Sequence, residues 1–321
     1  MDSLIRFGFN NRVRGQVVRL DKSWLPIVTH HQQYGGRDIP PTVRERLGEL
    51  AAAGLLLASS LKFDGSLLLQ IQGSGPARLF VAECQADGRF RATVKLQDGT
   101  AIPHDASFGD LVNPDGQGRF VVTLLPARQG SDASRGLDNP YQGIIPFEGD
   151  TVAEVLENYM GLSEQLPSRL WLSADEQSAF GLLLQLMPDA DSADQLATDR
   201  DERRLLWEQV QALADTLTRE EMLTLAPEEV LHRLFWETDI HAFDRRRPRF
   251  ECTCSRDKVA SMLKMLGKTE VDSILAEQQG AIQVNCEFCR LPYRFDAQQV
   301  AVLFANDQPS GQPDNIPAMT P

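Results

Sequence analysis

Apolar and polar positions first fall into a strand pattern over residues 13–20, and short strand-like runs then recur at 66–72, 78–85, 90–97 and 119–125. They are separated by Gly73-Ser74-Gly75-Pro76, by Asp87-Gly88, and by a loop rich in Gly, Pro and Asp. Asp-Gly between two strand-like runs is a hairpin signal, and strands joined by such short turns predict an antiparallel sheet. A helical pattern opens at Pro40-Pro41, where a missing N–H costs nothing. It carries Val43, Leu47, Leu50 and Gly54 on one face and ends near Lys62-Phe63-Asp64-Gly65. A strand over 141–147, a helix over 151–163 bearing Val152, Val155, Leu156 and Tyr159, and strands over 169–172 and 181–187 follow, with Pro188 as the stop.

The pattern then changes. Residues 189–229 hold 12 acidic and 4 basic side chains, a formal −8. Leu206, Val210, Leu213 and Leu217 still fall on one helical stripe, and Pro227 opens a second stripe with Val230, Leu231, Leu234 and Phe235. Thin stripes in so acidic a segment fit either a helical linker of low local stability or a hairpin docked on the rest of the chain. Beyond the basic run Arg245-Arg246-Arg247-Pro248-Arg249, Ser255 predicts an N-cap for a helix with Val259, Met262, Leu263 and Leu266, stopped by Gly267. Thr269 starts a second helix, ended by Gly280. Ile282 and Val284 predict a strand, Tyr293 and Phe295 its return, and Asp296 the cap of a last helix with Val300, Leu303 and Phe304.

The predicted fold class is therefore α+β. An N-terminal mixed domain over 1–188 has a mainly antiparallel sheet with packing helices. An acidic helical linker spans 189–244, a small zinc-binding α+β module 245–304, and a proline-rich disordered tail 305–321.

Chemistry concentrates in that small module. Four of the five cysteines form two close pairs, Cys252-Thr253-Cys254 and Cys286-Glu287-Phe288-Cys289. Two such pairs suit a tetrahedral Zn²⁺ held by thiolates, and in a module of this size the metal supplies much of the folding energy. The first pair is C-x-C rather than C-x-x-C, so a disulfide within it closes a small, strained ring of the labile kind. Arg256, Lys258, Arg290 and Arg294 lie near enough in sequence to favour thiolate. Spacing alone leaves both a redox site and a plain structural zinc site open.

Other signals are weaker. Gly73-Ser74-Gly75 lacks the third glycine of a dinucleotide loop and reads as a turn. His30-His31 has no identifiable catalytic partner and reads as surface. His232 and His241 are remote competitors for a metal shell that the cysteines already fill, and Cys84 reads as a buried apolar side chain. The Arg245–Arg249 run reads as a solvated hinge or as an ion-pair partner for the acidic segment. No catalytic triad, paired carboxylates or phosphate loop is found, and no enzyme activity is expected. With 32 basic against 45 acidic residues, a net charge of −13 opposes nucleic acid as the main partner. The longest apolar stretch, 50–57, is about half a membrane span. With no signal-like N-terminus, a cytoplasmic protein without membrane contact is expected.

Together, these motifs resemble the thirty-three-kilodalton heat-shock protein family, the redox-regulated bacterial holdase chaperones. The resemblance rests on Cys252-Thr-Cys254-Ser-Arg and Asn285-Cys-Glu-Phe-Cys289. It extends to Val13-Arg14-Gly15 with Val18-Arg19-Leu20, Leu61-Lys62-Phe63-Asp64-Gly65, Gln72-Gly73-Ser74-Gly75-Pro76, Ser163-Glu164-Gln165-Leu166-Pro167 and Tyr293-Arg294-Phe295-Asp296. It implies one Zn²⁺ at Cys252, Cys254, Cys286 and Cys289 in a reduced, inactive chaperone. It implies further that oxidation yields the disulfides Cys252–Cys254 and Cys286–Cys289, with zinc loss and linker unfolding. The active form would favour a homodimer and bind unfolded or oxidatively damaged client proteins without ATP. The alternative from another class is a zinc-ribbon protein binding nucleic acid or the ribosome, which steep salt-dependent binding would reveal.

Overall fold

Strand β9 (Ala179–Leu186) is apolar almost throughout because both of its faces are covered. Its sheet has the order β10-β1-β2-β9-β8, with β1 Ser3–Phe9, β2 Val13–Leu20, β8 Ser168–Ala174 and β10 His241–Arg246. Every pairing in it is antiparallel. A second sheet runs β11-β5-β4-β3-β6-β7, with β3 Gly65–Gln72, β4 Ala77–Gln85, β5 Arg89–Leu96, β6 Arg119–Pro126, β7 Tyr141–Pro146 and β11 Arg249–Phe250. It is antiparallel apart from the short parallel β11–β5 pair. The predicted strands are thus present, divided between two sheets rather than one. The β4–β5 turn is the predicted Asp87-Gly88 hairpin, with Gly88 at φ 91°.

This computed structural model describes residues 1–34, 38–61, 64–126, 140–188 and 197–305. Within the resemblance motifs, Lys62-Phe63 lies outside that set, as do the start of the acidic segment and the tail from 306. Two compact units are formed, Met1–Cys252 and Thr253–Pro321.

In the first unit, helix α2 (Pro41–Ser60) is buried all round from Leu47 to Ser59. It shares one core with Leu4, Val18, Leu20 and Leu183 of the first sheet and with Leu69, Phe80 and Ala82 of the second. A helix without a polar face belongs in a core. Helix α1 (Leu25–Tyr34), unpredicted by the pattern, lies under β5 and buries His31 at 5% exposure. The expectation of a surface His30-His31 pair is therefore wrong for His31. The pair sits on a helix whose inward face includes Ile27, Val28 and His31. Helices α3 (Phe108–Val112) and α4 (Val152–Tyr159) complete this layer, with a π-helical turn, Met160–Glu164, after α4.

The opposite face of the first sheet carries Ile5, Phe7, Phe9, Val13, Val17, Phe180, Leu182 and Leu184. The acidic segment covers it. Helices α5 (Ala197–Ala214), α6 (Arg219–Thr224) and α7 (Pro227–Phe235) bury Val210, Ala214, Met222, Val230, Leu231, Leu234 and Phe235 against these side chains. Of the two readings of this segment, the docked one describes this arrangement. Gly15 makes room for the Phe7 ring on the neighbouring strand, since a Cβ there would sit 2.2 Å from it. Arg19 of β2 donates to the carbonyls of Leu223 and Leu225 at 2.6 and 2.9 Å, closing the C-terminal end of α6. The basic run pairs with acidic residues, Arg245 with Glu228 of α7 at 2.6 Å and Arg246 with Asp244 at 2.7 Å.

The second unit holds α8 (Arg256–Leu266), α9 (Lys268–Glu277), the hairpin β12 (Ala281–Asn285) and β13 (Pro292–Asp296), and α10 (Ala297–Ala305). Ser255 caps α8 as predicted, accepting from Lys258 N. Gly267, rather than Thr269, precedes α9. Asp296 and Gln299 cap α10 reciprocally at 2.8 and 3.2 Å. The core here is small: Leu263, Val271, Ile282, Phe295 and Val300.

Candidate metal centre

A core of that size stabilises little by itself, so the cysteines beside it matter. The turn between β12 and β13 is closed by Cys286 N to Leu291 O at 3.0 Å and by Arg290 N to Cys286 O at 2.8 Å. Arg290 takes a left-handed φ of 57°, which turns the chain back after Cys289. Both sulfurs of the C-x-x-C pair are thereby held near one another. The C-x-C pair precedes the Ser255 cap, so the start of α8 fixes its position.

The structure brings together all four cysteines that the sequence singles out. The sulfurs of Cys252, Cys254, Cys286 and Cys289 lie within 4.8 Å of one another. None of the four is in a disulfide; Cys289 is buried and the other three are half-buried. The Cys254 and Cys289 sulfurs are 3.3 Å apart. Tetrahedral ligation at about 2.3 Å per Zn–S bond separates sulfurs by roughly 3.8 Å, so this group has the size and the soft-donor chemistry for such an ion. His232 and His241 are not members of the group, and the cluster is all sulfur.

Cys84 takes no part. It is buried in β4 with its sulfur toward Ala51 O, and a Cβ on Gly54 would lie 2.8 Å from that sulfur. Burial, with a smaller contribution from Glu83, pushes its thiol well above the ordinary cysteine range, which keeps it protonated and inert.

The cations near the pairs make local contacts of their own. Arg256 stacks on the Phe295 ring at 4.2 Å and donates to Gln299 at 2.8 Å. Lys258 donates to the Thr253 carbonyl at 2.5 Å, stiffening the C-x-C turn. Arg290 pairs with Glu287 at 3.4 Å, and Arg294 stands on the exposed side of β13.

Two groups escaped the sequence reading. Tyr293 donates its phenol hydrogen to the Cys254 sulfur at 3.0 Å. That hydrogen bond, then burial, then the negative sulfurs of Cys254, Cys289 and Cys286, push the phenol far above its usual range, so it remains a donor. Arg91 of β5 donates through Nε and Nη2 to the same oxygen, Glu83 Oε2, at 2.9 and 2.5 Å. Burial opposes its charge, but Glu83 and then the Cys252 sulfur outweigh burial and raise its pKa. The available signal for Tyr293 was its alternation with Phe295 on a strand leaving the second pair. Nothing in the local sequence marks Arg91.

Comparison with known proteins agrees with this chemistry. A family model described as Hsp33 protein matches residues 2–296. A 33 kDa chaperonin of Methylobacillus flagellatus is 43% identical over 312 residues, with 95% of each chain covered. A 33 kDa chaperonin of Neisseria meningitidis serogroup A is 42% identical over 307 residues, covering 95% of this chain and 92% of that one. Among solved structures, the 33 kDa chaperonin of Thermotoga maritima shares the fold at a TM-score of 0.73 and 21% identity, covering 95% of this chain and 98% of its own. None of the described helices is long and apolar enough to cross a membrane. A four-sulfur cluster suited to redox-regulated metal binding thus stands on a chain whose sequence matches chaperones almost end to end, and this chain belongs to the Hsp33 protein family.

Proposed function

We propose that the protein is an ATP-independent holdase that the cysteine cluster keeps inactive while reduced. Cys252, Cys254, Cys286 and Cys289 would hold one Zn²⁺, which when bound cross-links the four thiolates and adds folding energy to the small unit. In zinc-finger peptides this energy is on the order of 10–16 kcal/mol. Oxidation joins Cys252 to Cys254 and Cys286 to Cys289, and the sulfurs no longer offer a four-thiolate donor set. The small unit then loses its main source of stability, and the acidic segment loses its docking with it. Residues 189–244 act in this reading as a metastable linker between a client-binding and dimer-forming region over 1–188 and a switch over 245–304.

The observation that carries the reading is the gathering of four cysteine sulfurs within 4.8 Å beside a small core, in which Leu263, Val271, Ile282, Phe295 and Val300 are the buried members among the described residues. The covered sheet face supports it. Helices α5–α7 hide Phe7, Phe9, Phe180, Leu182 and Leu184, a surface suited to unfolded chains once bare. The acidic charge of the segment keeps it soluble when it detaches. Clients are unfolded or oxidatively damaged proteins, and the active form is a homodimer in the cytoplasm.

The test compares reduced and peroxide-treated protein for suppression of a heat-unfolded client's aggregation, with far-UV circular dichroism recorded alongside. Suppression confined to the oxidised sample, with loss of helix signal, supports the reading. Equal suppression in both samples, or an unchanged spectrum, contradicts it.

A further inference from the structure

We infer that Tyr293 is a positioning residue that orients the Cys254 sulfur for metal ligation and slows its attack on peroxide. The inference rests on the redox reading above and adds to it a residue that sets the threshold.

The geometry is local to one strand. Tyr293 pairs with Val284 and Phe295 with Ile282, so both aromatic rings lie on the same side of the β12–β13 hairpin. Phe295 is buried in the small core, and Tyr293 packs against that core from its edge. The ring is thus held by packing, and its hydroxyl reaches the Cys254 sulfur at 3.0 Å. A donor fixed in this way loses little entropy when it binds a charged acceptor. Partners of metal ligands orient the ligand and tune its electron density.

A hydrogen bond to a thiolate withdraws electron density from the lone pair that would attack an oxidant. In the reaction with hydrogen peroxide, one thiolate sulfur attacks a peroxide oxygen and the O–O bond breaks. Hydroxide leaves, and the sulfur becomes a sulfenic acid. The second thiolate of the pair then displaces hydroxide from that sulfur and forms the disulfide. Two thiolates thereby pass two electrons to one peroxide and release two hydroxides. Tyr293 acts on the first of these steps at Cys254, and the same bond fixes the direction in which that sulfur points.

Tyr293→Phe in the full chain keeps the ring and removes only the donor. Three measurements follow. Zinc affinity by chelator competition should fall about tenfold, at the lower end for an outer partner of a metal ligand. Zinc release and thiol loss under peroxide should accelerate about three- to tenfold, as expected for one lost hydrogen bond. With Co²⁺ in place of zinc, the sulfur-to-metal charge-transfer band should move to longer wavelength, a signature that altered packing alone would not give. Unchanged affinity, rate and band position would overturn the inference. If peroxide releases no metal from either protein, the redox reading fails, and affinity and band position alone decide the role of Tyr293.

Discussion

The guanidinium of Arg19, on β2, donates to the carbonyl of Leu223 at 2.6 Å and so ties the sheet to the end of α6. With its bond to Leu225 O at 2.9 Å, it satisfies carbonyls that a six-residue helix cannot satisfy internally. Arg19→Met should keep the aliphatic packing and remove these bonds. A cost of about 1.5–3 kcal/mol is expected for hydrogen bonds from a charged donor. Hydrogen exchange should then quicken across 219–235 while the β4–β5 hairpin stays protected.

Phe235 makes the complementary apolar contact. Its ring lies 5.0 Å from Phe9 and 6.0 Å from Phe7, and it is almost fully buried. Phe235→Ala should destabilise the docked segment by about 3–5 kcal/mol. If the segment masks the client surface, this variant should suppress client aggregation while still reduced and metal-loaded. Aggregation assays on the reduced variant, with zinc content checked, decide the matter.

Much of this was legible beforehand. The cysteine spacing, the Ser255 cap, the Asp87-Gly88 turn and the Val230–Phe235 stripe are local signals, and each matches the structure. Strand β10 was hidden because its sequence, HAFDRR, is charged and mostly exposed, and it joins the sheet through backbone pairing with β1. The two-sheet arrangement was hidden because strand pairing is non-local. Tyr293 was hidden because its partner, Cys254, lies 39 residues away in sequence.

Glu49 gives a pH prediction. It is buried on α2, paired with Arg46 at 2.7 Å, and burial raises its carboxyl to about 7, against the attraction of Arg46. The folded state therefore holds a proton that the unfolded chain, at an ordinary 4.5, has released. The sign follows: stability falls as pH rises from about 4.5 through about 7, by on the order of 3 kcal/mol. Glu49→Gln should remove that slope and stabilise the first unit at pH 8, as read from urea midpoints at pH 5 and pH 8.

Ligand removal should act on the small unit first. Cys289→Ser deletes the most buried donor of the cluster. Zinc content should fall to near zero, and helix signal and exchange protection should be lost over 256–305, while the α2 core keeps its protection. Equal protection of 256–305 with and without metal would mean that the five-residue core suffices.

The most direct measurement follows zinc release, free-thiol count and suppression of client aggregation in a single peroxide titration. The three curves should coincide, with four thiols lost per zinc released and suppression absent from the zinc-loaded starting point. Full suppression by the reduced, zinc-loaded protein, or zinc release without any gain of suppression, would contradict the account.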